Sequence, residues 1–99
     1  MRITLLTVPG CPNAPLIHQR ITQALDGRHA EIEQIEVITT EQAEKLGMTG
    51  SPTLLVDGTD PFAVPEDQPS ISCRLYRSAD GTIDGAPSVA ALRDALAAA

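Results

Sequence analysis

The chain has 99 residues, enough for one hydrophobic core and too few for two. Its apolar content of 42% is ordinary for a globular protein, and no apolar run is long enough to cross a bilayer. A net charge of −6 repels a phosphate backbone, no Lys/Arg cluster offsets it, and one Tyr with one Phe offers bases little to stack on, so neither nucleic acid nor membrane is an expected partner.

Residues 2–8, RITLLTV, are rich in leucine and β-branched side chains with little polar alternation, the pattern of a central strand covered on both faces. A strand starting at Arg2 leaves no room for a signal peptide. The protein is therefore expected in the cytoplasm, with Cys11 and Cys73 reduced rather than joined as a permanent staple. Asn13 is placed to cap a helix in which Ile17, Ile21, Ala24 and Leu25 form one apolar stripe, and Gly27 is placed to stop it. Ile32, Ile35 and Val37 suggest a second strand, although the step from Ile32 to Ile35 breaks the period of two and predicts a bulge or a short strand.

Thr39 and Gln42 have the spacing of a capping box for a short helix ending near Leu46 and Gly47. Thr53 to Val56 reads as a buried strand with a turn at Asp57-Gly58. Further on, CRLYR (73–77) and TID (82–84) flank Ser78-Ala79-Asp80-Gly81 as a hairpin. Ser88 caps a last helix with Val89, Leu92 and Leu96 on one side, and residues 97–99 are expected to fray. The order β-α-β-α-β, a long loop, then β-β-α predicts a single α/β domain over residues 1–99. Its central mixed sheet is flanked by helices in two or three layers, with the first two strands parallel neighbours.

The most chemically suggestive stretch is TVPGCPNAPL, residues 7–16, where a strand ends in Pro-Gly and Cys11 opens a helix. Unsatisfied N–H groups and the positive end of the helix dipole favour thiolate over thiol, and the thiolate is the nucleophile. The plainer reading is a buried inert cysteine beside an ordinary turn. His18 stands two helical turns from Cys11, about 10 Å along the axis at ~1.5 Å per residue, too far for a direct base. His18 and His29 both read as solvated.

Three coordinated features resemble the thioredoxin-like superfamily over nearly the whole chain. Gly10-Cys11-Pro12-Asn13-Ala14 between strand and helix looks like the active-site loop. Residues 43–48 followed by Thr49-Gly50-Ser51-Pro52-Thr53 look like the second helix running into the cis-proline strand, and Gly85-Ala86-Pro87-Ser88 looks like the turn and cap before the last helix. More narrowly, Gly-Cys-Pro-Asn, Gly-Ser-Pro-Thr, Asp60-Pro61-Phe62 and Ser72-Cys73-Arg74-Leu75-Tyr76 resemble small bacterial thioredoxin-like proteins, some of them loosely labelled alkylmercury lyase. The resemblance implies a cis Ser51–Pro52 bond whose loop lies against the Cys11 sulfur. It also implies a Ser51 backbone that pairs with a peptide or thiol ligand, and Pro12, Asn13, Ser51 and Pro52 around the substrate. The chain departs from the family pattern in carrying Ala14 for the second thiol of Cys-x-x-Cys, Gly10 for the usual Trp and Leu5 for a buried acid.

With Ala14 in that place, attention moves to Cys73. If CRLYR pairs with the Thr53 to Val56 strand, Cys73 lies at the pole away from Cys11. If TID is the returning strand, as in thioredoxins, CRLYR runs the other way and Cys73 lies near Cys11. The Ser78–Gly81 turn and the Gly85-Ala86-Pro87-Ser88 cap favour the second arrangement, and residues 57–72 can span the return at ~3.3 Å per residue. Cys73 then resolves a mixed disulfide or sulfenic acid on Cys11.

The expected function is thiol–disulfide exchange or thiol transfer on a protein or small-molecule thiol. Cys11 is the nucleophile, Cys73 the resolving thiol, no cofactor is needed, and the protein is a monomer or weak dimer. Two alternatives come from other classes. One is soft-metal (mercury, copper or zinc) binding or organomercurial processing by the two thiols, the other a non-catalytic interaction module in which Cys73 is a small apolar strand residue. The loop 57–72, with Asp57, Asp60, Glu66, Asp67 and three prolines, does not match calcium-loop spacing and reads as a solvated lid anchored by Phe62. Arg74 and Arg77 either orient an acidic thiol ligand or merely solvate a strand.

Overall fold

The structure, a computed structural model, describes residues 1–98; the fraying expected of the terminal alanines falls in part on Ala99, outside the described residues. In chain order these residues form β1 (Arg2–Thr7), α1 (Ala14–Leu25), β2 (Glu31–Glu36), α2 (Thr40–Leu46) and β3 (Thr49–Ser51). There follow β4 (Thr53–Val56), β5 (Ser70–Cys73), β6 (Tyr76–Arg77), β7 (Ile83–Asp84) and α3 (Val89–Ala97). None of the helices is long and apolar enough to cross a membrane among the described residues.

Strand β1 is central because both of its faces are apolar. It lies between β2, to which it is parallel, and β4, to which it is antiparallel, in a mixed sheet ordered β2-β1-β4. Ile3 and Leu5 of β1, with Leu54 and Val56 of β4, meet Ile17, Ile21, Ala24 and Leu25 of α1 and Leu92 and Leu96 of α3. The alternate residue Leu6 faces the other way, into a second cluster with Val37, Ala43 of α2 and Met48. Successive strand side chains point to opposite faces, so one strand serves two cores and the fold has three layers.

The same geometry corrects the expected bulge in β2. Its ladder to β1 runs without a shift from Arg2 opposite Glu31 to Thr7 opposite Glu36. Ile32 and Ile35, three residues apart, simply serve different faces: Ile32 packs on the α1/α3 cluster and Ile35 on the α2 cluster.

Helix termini follow the local signals in part. Thr39 and Gln42 form the capping box, with Gln42 N–H donating to Thr39 Oγ1 at 3.2 Å and Thr39 N–H to Gln42 Oε1 at 3.3 Å. Helix α2 closes at Gly47 in the left-handed region, φ 81°. Asn13 stands at the N-cap position of α1 but makes no side-chain cap hydrogen bond, and Asp26, φ 50°, ends the helix one residue before Gly27. Asp57 and Gly58 both take positive φ, and Val56 and Thr59 exchange hydrogen bonds across them, which makes the expected turn.

The second half of the chain departs from both arrangements considered for CRLYR and TID: neither pairs with β4. CRLYR is not one strand. Its first residue, Cys73, ends β5, which runs parallel to β3 outside the three-stranded sheet, and the remainder turns at Arg74-Leu75 into β6. The Ser78–Gly81 hairpin forms, but β6 and β7 pair only with each other. The reason is in the side chains. With two ladder residues on each strand, the hairpin is held by the buried Tyr76, whose hydroxyl donates to the Pro52 carbonyl, rather than by a backbone ladder to β4.

Two substitutions test the layered core. Leu5→Ala, at a fully buried position facing α1 and α3, is expected to lower unfolding free energy by about 2–5 kcal/mol in urea titration. Ile38→Ala, at a position 66% exposed, is expected to change it by no more than about 0.5 kcal/mol.

Candidate functional site

Cys11 is positioned by a turn at the end of β1. Its N–H donates to the Val8 carbonyl at 3.2 Å across Pro9-Gly10, and Gly10 takes φ 74°, which a side chain would resist. The Cys11 carbonyl accepts from Ala14 N–H at 3.3 Å as α1 begins. Cys11 is partly exposed and Pro12 exposed, whereas Ala14 is buried in the core.

Asn13 has a different task from capping. Its carboxamide fills the space where a Cβ of Gly85 would lie, so the start of α1 and the turn before α3 interlock there. Arg20, two turns into α1, strengthens the same junction. Its guanidinium donates to Asp84 Oδ2 at 2.8 Å, to the Ala86 carbonyl at 3.0 Å and to the Pro87 carbonyl at 3.2 Å. The Arg20 hydrogen bond, then that from Gly85 N–H, holds the Asp84 carboxyl below its ordinary range. The contribution of this pair is thus present above the ordinary carboxylate value and is lost as pH falls through the lower folded value.

The Ser51–Pro52 bond is cis, and its loop abuts the Cys11 turn. Ser51 is 2% exposed, and its Oγ accepts from Val8 N–H at 3.1 Å. Of the Ser51 backbone, expected to pair with a ligand, the carbonyl already accepts from Arg74 N–H at 3.0 Å. Across the β3–β5 ladder Ser51 stands opposite Cys73. One chain of contacts therefore links the two cysteines: Cys11 to Val8, Val8 to Ser51, Ser51 to Cys73. Both thiols are free, Cys73 is exposed, and both lie at the end of the sheet where β1 stops and β4 begins.

The residue that holds this assembly is Arg74, which corrects the reading of it as a solvating strand arginine. Its side chain and that of Asp60 are each 9% exposed and form an ion pair at 2.7 Å. Nη1 also donates to Thr49 Oγ1 at 3.0 Å and Thr53 Oγ1 at 3.4 Å, and Nη2 to the Phe62 carbonyl at 3.0 Å. The guanidinium lies over the Tyr76 ring, 4.7 Å from its centroid, and Phe62 meets that ring edge-on at 5.6 Å. Burial pushes the Tyr76 phenol well above its ordinary value, with Arg74 opposing the shift. Phe62 is an anchor as expected, but the Asp60 side chain is mostly withdrawn from solvent and paired, so the segment is fastened at that point rather than a solvated lid. No periodicity or motif marked Asp60 and Arg74 as partners.

Arg77 is exposed and borders a cleft of about 360 Å³ with Phe62, Val64, Leu75 and Tyr76, and neither cysteine lines it. His18 and His29 are exposed, away from any cluster. Among the described residues no three of His, Cys, Asp and Glu converge as a metal site, so a metal on Cys11 and Cys73 would have two protein donors. Comparison with known proteins found no matching family model, curated protein or solved structure.

Removing one partner of the buried pair strands the other's charge. Asp60→Ala is expected to cost about 3–5 kcal/mol of unfolding free energy in urea titration. Arg74→Met measured alone and with Asp60→Ala should complete a double-mutant cycle in which the two losses fall short of additivity by more than about 1 kcal/mol.

Proposed function

We propose that the chain is a thioredoxin-like thiol protein that catalyses thiol–disulfide exchange, with Cys11 as nucleophile and Cys73 as resolving thiol. The thioredoxin-like reading is supported by the mixed β2-β1-β4 order, α1 and α3 on one face with α2 on the other, and a cis Ser51–Pro52 loop beside the Cys11 turn. The observation that carries the chemistry is the chain of contacts running from Cys11 through Val8 and Ser51 to Cys73, with both sulfurs free.

In the forward reaction the Cys11 thiolate attacks one sulfur of a disulfide, forms a mixed disulfide and releases the first thiolate. The Cys73 thiolate then attacks Cys11 Sγ, releases the second thiolate and leaves a Cys11–Cys73 disulfide. The substrate is reduced by two electrons and the cysteine pair oxidised by two. A reducing thiol in the cytoplasm, the compartment this reading assigns, returns the pair to the dithiol. Ala14 removes the local partner that a Cys-x-x-Cys loop uses, so resolution depends on β5.

The reduced protein treated with a small disulfide should lose both free thiols and gain one intramolecular Cys11–Cys73 link, located by peptide mass spectrometry. Cys73→Ser should stop at a mixed disulfide on Cys11. Covalent dimers alone, or independent oxidation of the two thiols, would count against the reading.

A further inference from the structure

A strand edge beside a nucleophile is the natural seat for an extended substrate, because a peptide added there gains main-chain hydrogen bonds. The edge of β3 next to the Cys11 turn is such a seat, and the chain fills it with its own β5. Ser70 N–H donates to the Met48 carbonyl at 3.2 Å and Arg74 N–H to the Ser51 carbonyl at 3.0 Å, one bond at each end of β3. The approach is so close that a Cβ on Gly50 would lie 2.7 Å from Arg74 Cβ, and Gly50 itself takes φ 124°. The inserted strand is held on both sides: Ile71 packs on the cluster of Leu6, Val37, Ala43 and Met48, and Arg74 is paired with Asp60. Between these anchors Ser72 and Cys73 remain exposed.

We infer that β5 is a built-in occupant of the edge an extended peptide would use, so that the disulfide reduced by Cys11 is a low-molecular-mass one and not one within an extended polypeptide. This rests on the exchange reading above. A small disulfide RSSR needs access to the partly exposed Cys11 and no strand edge. Cys11 bonds to one of its sulfurs and RS⁻ leaves to take up a proton. Cys73 then bonds to Cys11 Sγ and expels the second RS⁻, so one RSSR becomes two RSH as the cysteine pair becomes a disulfide. A peptide disulfide seeking the same edge must first displace β5 from Met48 and Ser51.

The test uses full-length reduced Cys73→Ser, which halts at the mixed disulfide. Its rate of modification at Cys11 is followed by mass spectrometry with two probes: bis(2-hydroxyethyl) disulfide, and a short unstructured peptide whose central cysteine carries the same hydroxyethyl thiol. Each rate is divided by that of a free thiol with the same probe. The small disulfide is expected to be favoured by at least about tenfold, as when two ordinary backbone hydrogen bonds must first be given up. Adding Ile71→Ala, or the milder Ile71→Val, should narrow the preference through faster reaction of the peptide alone, with faster amide hydrogen exchange at Ser70 and Arg74. Equal normalised rates in Cys73→Ser overturn this inference and leave the exchange reading standing. A preference unchanged once those amides have opened likewise removes β5 as its cause. Reaction no faster than the free thiol with both probes overturns the exchange reading as well.

Discussion

The arrangement of the second half of the chain depends on the burial of one guanidinium. An arginine withdrawn from water loses strong hydration, and it stays charged inside a protein only where a carboxylate and further acceptors replace that hydration. Arg74 finds them on separate pieces of chain: Asp60 and the Phe62 carbonyl from the long loop, Thr49 from β3 and Thr53 from β4. The planar fork of the side chain imposes directions on all of them. With the Arg74 side chain so fixed and its N–H on Ser51, the residue before it, Cys73, can only lie alongside Ser51. The location of the second thiol is thus a consequence of an ion pair that carries no thiol chemistry itself.

That dependence explains which parts of the fold were legible in the sequence. Features written in neighbouring residues were readable: the two-faced apolar run of β1, the Thr39–Gln42 capping box, the Asp57-Gly58 turn, the stripe on α1 and the Ser88 cap, whose Oγ accepts from Ala91 N–H at 3.1 Å. Ile32 and Ile35 misled because a period of two assumes one buried face, while β2 contributes an isoleucine to each core. Asn13 misled in another way. It has the chemistry of a cap, but the space offered by Gly85, far away in sequence, takes its side chain elsewhere.

The parts that could not be read are those set by long-range polar contacts. Asp60 and Arg74 stand on either side of a proline-rich stretch, and nothing in their local spacing separates a buried partner from a solvated charge. Read as one strand, CRLYR lies either beside the Thr53 to Val56 strand or in a hairpin with TID, whereas the inward turn of Arg74 divides it between β5 and β6. The two cysteines still share one end of the sheet, by a parallel ladder to β3 rather than by a returning strand beside β4.

The coupling between the two thiol-bearing segments narrows to a single residue. Val8 uses its carbonyl to receive Cys11 N–H and its own N–H to reach Ser51 Oγ, so one residue sets the start of the Cys11 turn and the position of the cis-proline loop together. Backbone groups withdrawn from water need partners, and here each partner belongs to the segment carrying or facing a cysteine. On the far side, Asn13 against Gly85 and Arg20 on Asp84 fix α1 to the turn before α3. The Cys11 turn is therefore held from both sides while Cys11 itself stays partly exposed. Its counterpart on β5 is tied down at Ile71 and Arg74 and exposed at Cys73 between them. The exposed stretches around Cys11 and Cys73 thus lie between segments fastened in the two cores and by the ion pair.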